Sequence, residues 1–128
     1  MSGNYSELQQ QAVEARKVSY SPYSKFPVGA ALLAKNGQVF VGCNVENASY
    51  GLCICAERAA ICKAVSEGVT EFEAIAVAAT PLATPCGACR QFIIEFGSEI
   101  TVICVDAEKP ENSKMWRSGD LIPEHFEF

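Results

Sequence analysis

Apolar positions recur at helical spacing over residues 6–18. Leu8, Ala12, Ala15 and Val18 mark one face, while Glu7, Gln9, Gln10, Glu14 and Lys17 fill the other. Ser6 stands where an N-cap belongs, and Ser21-Pro22-Tyr23-Ser24 breaks the period as a loop. From Val28 to Ala34 small apolar residues follow one another without alternation, the pattern of a strand buried on both faces. Asn36-Gly37 is a two-residue hairpin signal, and it predicts a partner strand over Gln38 to Val45. Residues 46–54 read as a loop whose polar side chains serve its own backbone, which places it near a site. A helix is predicted from Ala56 to Glu67, ended by Gly68. Next come a strand from Phe72 to Ala79, a helix from Gly87 to Phe96 ended by Gly97, and a strand from Ile100 to Val105. Residues 107–119 are polar, with Met115-Trp116 as a short edge strand.

This order of elements predicts a layered α/β fold about one mixed sheet, in one domain over residues 1–128. Alanines 56, 59, 60 and 64 line the second helix, which suits packing between its own sheet and another surface.

Charge narrows the function. A net charge of −5 and a pI near 4.8 argue against binding nucleic acid through its phosphates. No apolar run reaches the length of a membrane span, and the N-terminal stretch is polar rather than signal-like. Seven cysteines are an odd number, and their spacing reads as metal ligation rather than a disulfide framework. A reducing cytoplasm is the expected setting.

The chemistry gathers in two segments, Cys55-Ala56-Glu57-Arg58 and Pro85-Cys86-Gly87-Ala88-Cys89-Arg90. C-x-x-C lets two sulfurs reach one ion, and Cys55 supplies a third. Three protein ligands leave the fourth tetrahedral position of zinc to water, whose pKa the metal lowers to roughly 7. Glu57, two residues from a ligand, is the candidate acid–base group. Three thiolates about Zn²⁺ leave one net negative charge. Arg58, Arg90 and the N-terminal ends of the two helices are the candidates to balance it. A closed structural site with Cys53 as fourth ligand is the alternative, but it leaves Glu57 without a role. Cys43, Cys53, Cys62 and Cys104 are expected to be buried small hydrophobes, and His125 a solvated tail residue.

Cys-x-Glu followed by Pro-Cys-x-x-Cys matches the Cys₃ form of the known zinc deaminase signature. With Ser21-Pro22-Tyr23-Ser24-Lys25-Phe26-Pro27-Val28-Gly29-Ala30-Ala31-Leu32 and Asn44-Val45-Glu46-Asn47-Ala48, the chain closely resembles the small homotetrameric, zinc-dependent cytidine deaminases from about residue 5 to 126. The resemblance implies a three-layer α/β/α fold with about five strands and one zinc held by Cys55, Cys86 and Cys89. It implies hydrolytic deamination of cytidine and 2′-deoxycytidine, in pyrimidine salvage. Phe26 would stack on the pyrimidine, Asn44 and Glu46 would bind ribose hydroxyls, and the Ala56 N–H would bind the base carbonyl. Glu57 would shuttle protons, and Arg58 would hydrogen-bond thiolates. Tyr50 and Phe126 would reach a neighbouring subunit's site.

The residues support the ribose assignment separately. Asn44 and Glu46 lie two apart on an extended segment and so point to one side, and the carboxylate would repel a phosphate. The partner implied is a small nucleoside, not nucleic acid or membrane. The alternatives are a deaminase of another nucleoside-like substrate and a non-catalytic zinc-stabilised interaction module. Residues 107–120 depart from the family pattern, which bears on where Phe126 points.

Overall fold

A computed structural model describes residues 4–128; residues 1–3 of the expected single domain lie outside the described residues. Helix α1 spans Ser6–Arg16, strand β1 Gly29–Ala34, β2 Val39–Cys43, helix α2 Ala56–Ser66, β3 Phe72–Ala79, helix α3 Gly87–Ile94, β4 Thr101–Asp106 and β5 Ser113–Arg117. The strands form one five-stranded sheet in the order β2-β1-β3-β4-β5. Only β3 and β4 pair in parallel, joined through α3, and the other neighbours are antiparallel. The sheet is therefore mixed, with α1 on one face and α2 and α3 on the other, the three layers that the resemblance implied.

The hairpin forms where Asn36-Gly37 marks it. Gly37 takes a φ of +94°, a region that costs glycine little, and the Asn36 side chain accepts from the Gln38 N–H. Gly68, at φ +85°, ends α2 in the same left-handed region.

The core divides by sheet face. Ala31, Ala74, Ala76, Ala78, Ile103 and Val105 pack against Leu8 and Ala12 of α1. Leu32, Ile75, Val77 and Val102 pack against Ile61 of α2 and Ile93 of α3. β3 and β4 are buried on both faces from Ala74 onward, which explains their unbroken apolar runs. Two glycines set the helix–sheet spacing. A Cβ on Gly29 would lie 2.1 Å from the Ala12 carbonyl, and one on Gly42 would lie 2.7 Å from the Ala60 nitrogen.

Several expectations need correction. Ser6 is the first residue of α1, not its cap; Tyr5 precedes the helix, and Asn4 Oδ1 accepts from the Ser6 N–H at 3.0 Å. Val18 lies past the end of α1, turned out of the core and 75% exposed. The second strand ends at Cys43, because from Asn44 the chain leaves β1 and makes isolated bridges instead. Ala60 and Ala64 are fully buried against the sheet, so bulk at either position acts on the core and not on an outer surface. Of the non-cluster cysteines only Cys104 is buried; Cys43 and Cys53 are half-buried and Cys62 is exposed on the outer side of α2. The 46–54 loop lies mostly on the surface and contains a 3₁₀ turn over Tyr50–Leu52. Among the described residues no helix is long and apolar enough to cross a membrane.

The contact of Gly42 with α2 is testable. Gly42→Ala should force the helix off β2 and cost about 1–3 kcal/mol, read as a lower urea midpoint. An unchanged midpoint would show that the helix–strand spacing has slack.

Candidate active site

The helix starts build the centre of the site. Cys55 occupies the N-cap position of α2 and Cys86 that of α3, both with extended backbone. Cys89 lies in the first turn of α3 and is fully buried. The three Sγ atoms lie within 4.8 Å of one another. Tetrahedral zinc with Zn–S bonds of about 2.3 Å separates its sulfurs by about 3.8 Å, and Cys55 and Cys86 stand 3.8 Å apart, far beyond a disulfide bond. Cys53 is not in this group: its sulfur accepts from the Asn47 N–H at 3.4 Å. Three protein sulfurs, not four, converge, and the set fits a zinc ion with an open position.

The electrostatics fit a cation as well. The hydrogen bond with Cys89, and then Arg58, hold the Cys55 thiol down at about 5 against the effect of burial. The same Cys55 contact, together with burial and the nearby Glu57, pushes Cys89 well above the ordinary thiol range. One sulfur ionises at its neighbour's expense, so all three become thiolates together only around a positive ion. Arg58 donates to Cys55 Sγ at 3.2 Å, and its buried Nε has no protein partner. Arg90 does not share that task. It donates to the carbonyls of Pro85 at 2.8 Å and Leu121 at 2.9 Å and to the Thr84 hydroxyl at 3.0 Å, pinning the loop before α3 to the C-terminal turn.

Glu57, in the first turn of α2, is only 4% exposed. Burial raises its carboxyl to about 7, the negative charge at Cys55 adding and Arg58 opposing. A carboxyl poised near neutrality can both accept and donate a proton.

A cavity of about 270 Å³ connects this centre to the loops. Cys55, Cys86, Ala56 and Glu57 line one end, and Phe26, Asn44 and Glu46 line the rest with small residues from the end of β3. Its size and mostly apolar lining suit a small molecule fixed by a few polar groups. Asn44 is largely committed to the loop around it. Its Oδ1 accepts from the Val28 N–H at 3.0 Å and from Ser19, and its Nδ2 donates to the Phe26 carbonyl at 2.9 Å. One Nδ2 hydrogen remains for a ligand, so Asn44 can donate there but has no lone pair to spare. Glu46 accepts from the backbone N–H groups of Tyr23 at 3.0 Å and Ser24 at 3.1 Å and from the Ser24 hydroxyl. That hydroxyl first, then the two N–H groups and Lys25, hold its carboxyl below the ordinary range.

Tyr50 and Phe126 stand apart from this cavity within one chain. Tyr50 is 72% exposed and lines an adjoining hollow of about 210 Å³ with Tyr23 and Cys53. Phe126 is 71% exposed, beside α3, where its carbonyl accepts from Gln91 at 3.1 Å. The sequence reading passed over Ser24 and Thr84 in the cavity wall. Ser24 lay in plain view in a Pro-containing turn, two residues before Phe26.

The family model for the cytidine and deoxycytidylate deaminase zinc-binding region matches residues 2–105. A probable cytidine deaminase of Dictyostelium discoideum is 52% identical over 105 residues, which cover 80% of this chain and 69% of that one. A cytidine deaminase of Mycobacterium tuberculosis is 40% identical over 125 residues, covering 96% of this chain and 90% of that one. The crystal structure of cytidine deaminase from Burkholderia pseudomallei superposes with a TM-score of 0.91 at 45% identity, over 97% of this chain and all of that one.

The sulfur cluster separates the two readings of the metal. Cys86→Ala and Cys89→Ala should each abolish a stoichiometry of one zinc per chain in elemental analysis, whereas Cys53→Ala should retain it. Loss of zinc in Cys53→Ala would mean a closed four-sulfur site.

Proposed function

The chain belongs to the zinc-binding cytidine and deoxycytidylate deaminase family, and from that membership we propose how its residues deaminate cytidine and 2′-deoxycytidine to the corresponding uridines with release of ammonia. The observation that carries this reading is the buried Glu57 carboxylate, facing one cavity with the Cys55 and Cys86 sulfurs at its end and with Glu46 in its wall. Zinc held by Cys55, Cys86 and Cys89 supplies Lewis acidity that makes a water reactive near neutral pH.

Glu57 accepts the proton of the attacking water and delivers it to N3 of the pyrimidine as the C4–O bond forms. C4 then carries both OH and NH₂. Glu57, again a carboxylate, takes the proton of the C4 hydroxyl and passes it to the amine, so that C4=O forms as the C4–N bond breaks, leaving the N3-protonated uracil ring and ammonia. Burial serves this cycle, because a carboxyl near pH 7 exchanges protons in both directions at little cost. The Ala56 N–H, at the start of α2, donates to the base carbonyl. Phe26 stacks on the ring, and Arg58 draws charge from Cys55 sulfur through its hydrogen bond. At the ribose end Asn44 donates its remaining N–H and Glu46 accepts a hydroxyl proton. The carboxylate also discriminates against nucleotides, whose phosphate would meet a like charge.

In this reading residues 1–128 act as one domain in the cytoplasm, in pyrimidine salvage, and seven free cysteines accord with a reducing compartment. The working form is a homotetramer in which Tyr50 and Phe126 complete a neighbour's cavity. Their exposure, with that of Leu52 at 63% and Val65 at 41%, supports it. Light scattering should then give four times the 13.8 kDa chain mass; a fully active monomer contradicts site sharing.

The spectral change on loss of the 4-amino group tests the activity. Cytidine and deoxycytidine should be consumed, while cytosine and CMP should react far more slowly. Glu57→Gln should keep its zinc and lose more than about 10³ in kcat, since a general acid–base group acting once is worth about 10² to 10⁴. Near-normal turnover by this variant contradicts the proton path.

A further inference from the structure

One side chain in the cavity wall has no assigned task, although it touches the group placed at the ribose. Lys25, between Ser24 and Phe26, adopts a φ of +58°, in the left-handed region. The Ser24 backbone N–H and the neighbouring Tyr23 N–H, at 3.1 and 3.0 Å, both end on Glu46 Oε1. The Ser24 hydroxyl donates to Glu46 Oε2. That hydroxyl also accepts from the Phe26 N–H at 3.1 Å. A bond arriving at an oxygen lone pair leaves the hydroxyl proton free to point elsewhere, and here it points at the carboxylate.

We propose that Ser24 is a positioning residue for substrate recognition, its hydroxyl aiming the Glu46 carboxylate so that one lone pair faces the cavity. A carboxylate offers about four acceptor positions, and the Tyr23–Ser24 turn occupies three of them. Oε1 is filled by two N–H donors. Oε2 holds the Ser24 hydroxyl and keeps one position, and Glu46 lines the cavity wall. Without the hydroxyl, Oε2 has no protein donor and the carboxylate is held at Oε1 alone, which leaves its last torsion less restrained and the acceptor less firmly aimed at a sugar hydroxyl. The Phe26 N–H is the orienting device and Ser24 the lever, so the effect passes through Glu46 and not through the zinc cluster, at the other end of the cavity. Ser24 thereby acts on sugar recognition and leaves the proton transfers of Glu57 alone.

The inference rests on the reading of Glu46 as a ribose-binding group, and the test separates the two. Zinc-loaded full-length wild type, Ser24→Ala, Ser24→Thr, Glu46→Ala and the Ser24→Ala/Glu46→Ala double variant are assayed with cytidine and with 2′,3′-dideoxycytidine, which lacks the 2′ and 3′ hydroxyls and keeps the 5′ one. Uridine binding is measured by calorimetry alongside. Ser24→Ala should raise KM for cytidine about tenfold, weaken uridine to a similar degree and leave kcat within about threefold. KM for the dideoxy nucleoside should barely move. Ser24→Thr, which keeps the hydroxyl, should stay within about threefold of wild type. In the Glu46→Ala background, removal of the Ser24 hydroxyl should change KM by less than twofold, because two groups acting as one unit are not additive. Unchanged cytidine KM in Ser24→Ala, an equal rise for the dideoxy nucleoside, or additive effects in the double variant would each overturn the positioning role. An equal effect of Glu46→Ala on KM for the two nucleosides would overturn the ribose reading itself. Absence of cytidine turnover by wild type would overturn the activity beneath both.

Discussion

Three sulfur atoms within 4.8 Å of one another cannot all be ionised without positive charge among and around them, and the local fold is arranged about that repulsion. Both segments that carry the sulfurs enter helices at the cysteine. The partial positive charge at each helix N-terminus therefore falls on a ligand rather than on solvent. Arg58 adds a full charge at 3.2 Å from Cys55. The same crowding acts on Glu57. Its position in the first turn of α2 buries it, and the negative charge at Cys55 joins burial in raising its pKa, with Arg58 and a hydrogen bond from Cys89 opposing. One constraint thus shapes both the sulfur cluster and the Glu57 carboxyl.

The opposite end of the cavity is governed by hydrogen bonds rather than charge repulsion. The loop between α1 and β1 has little regular structure, and side chains from the segment after β2 hold it. Asn44 ties it at Phe26 and Val28, while Glu46 ties it at Tyr23 and Ser24. Both residues spend most of their hydrogen-bonding capacity on the protein and keep a remainder for a ligand. That economy limits substrates. Asn44 can only donate and Glu46 can only accept, so the pair suits a hydroxyl-bearing sugar and disfavours an anion.

Much of this was legible in the sequence where one residue type has one physical use. Asn36-Gly37 and Gly68 marked a turn and a helix end, because few residues tolerate those backbone angles. The C-x-x-C spacing marked sulfur convergence for a similar reason. The Phe72–Ala79 strand was legible to the residue, being apolar from Ala74 to Ala79 and followed by Thr80-Pro81. What stayed hidden depended on which way a surface faces. The alanines of α2 were read as packing against both the sheet and a second surface, without saying which faced which; Ala60 and Ala64 turn to the sheet, where Gly42 removes the Cβ that would have kept the helix at a distance. Cys62, on the outer side of the same helix, is exposed for the complementary reason. The occupation of Asn44 by its own loop was hidden too, since it depends on backbone groups that the sequence does not order in space.

Helical phase explains why two arginines placed alike beside the ligands behave differently. In α2 the N-cap is Cys55 and the third helical residue is Arg58; in α3 the N-cap is Cys86 and the third helical residue is Cys89. A side chain at the third position folds back toward the N-cap, the geometry that a capping box uses. In α3 that relation brings two sulfurs together, and in α2 it brings a guanidinium to a sulfur. Arg90 is one position later, turned by roughly 100° about the helix axis, and so it faces Pro85, Thr84 and Leu121 instead. The Cys–x–x–Arg of one helix and the Cys–x–x–Cys of the other are thus one geometric device used twice. In one helix the third position supplies a sulfur to the cluster, and in the other it supplies a guanidinium beside it.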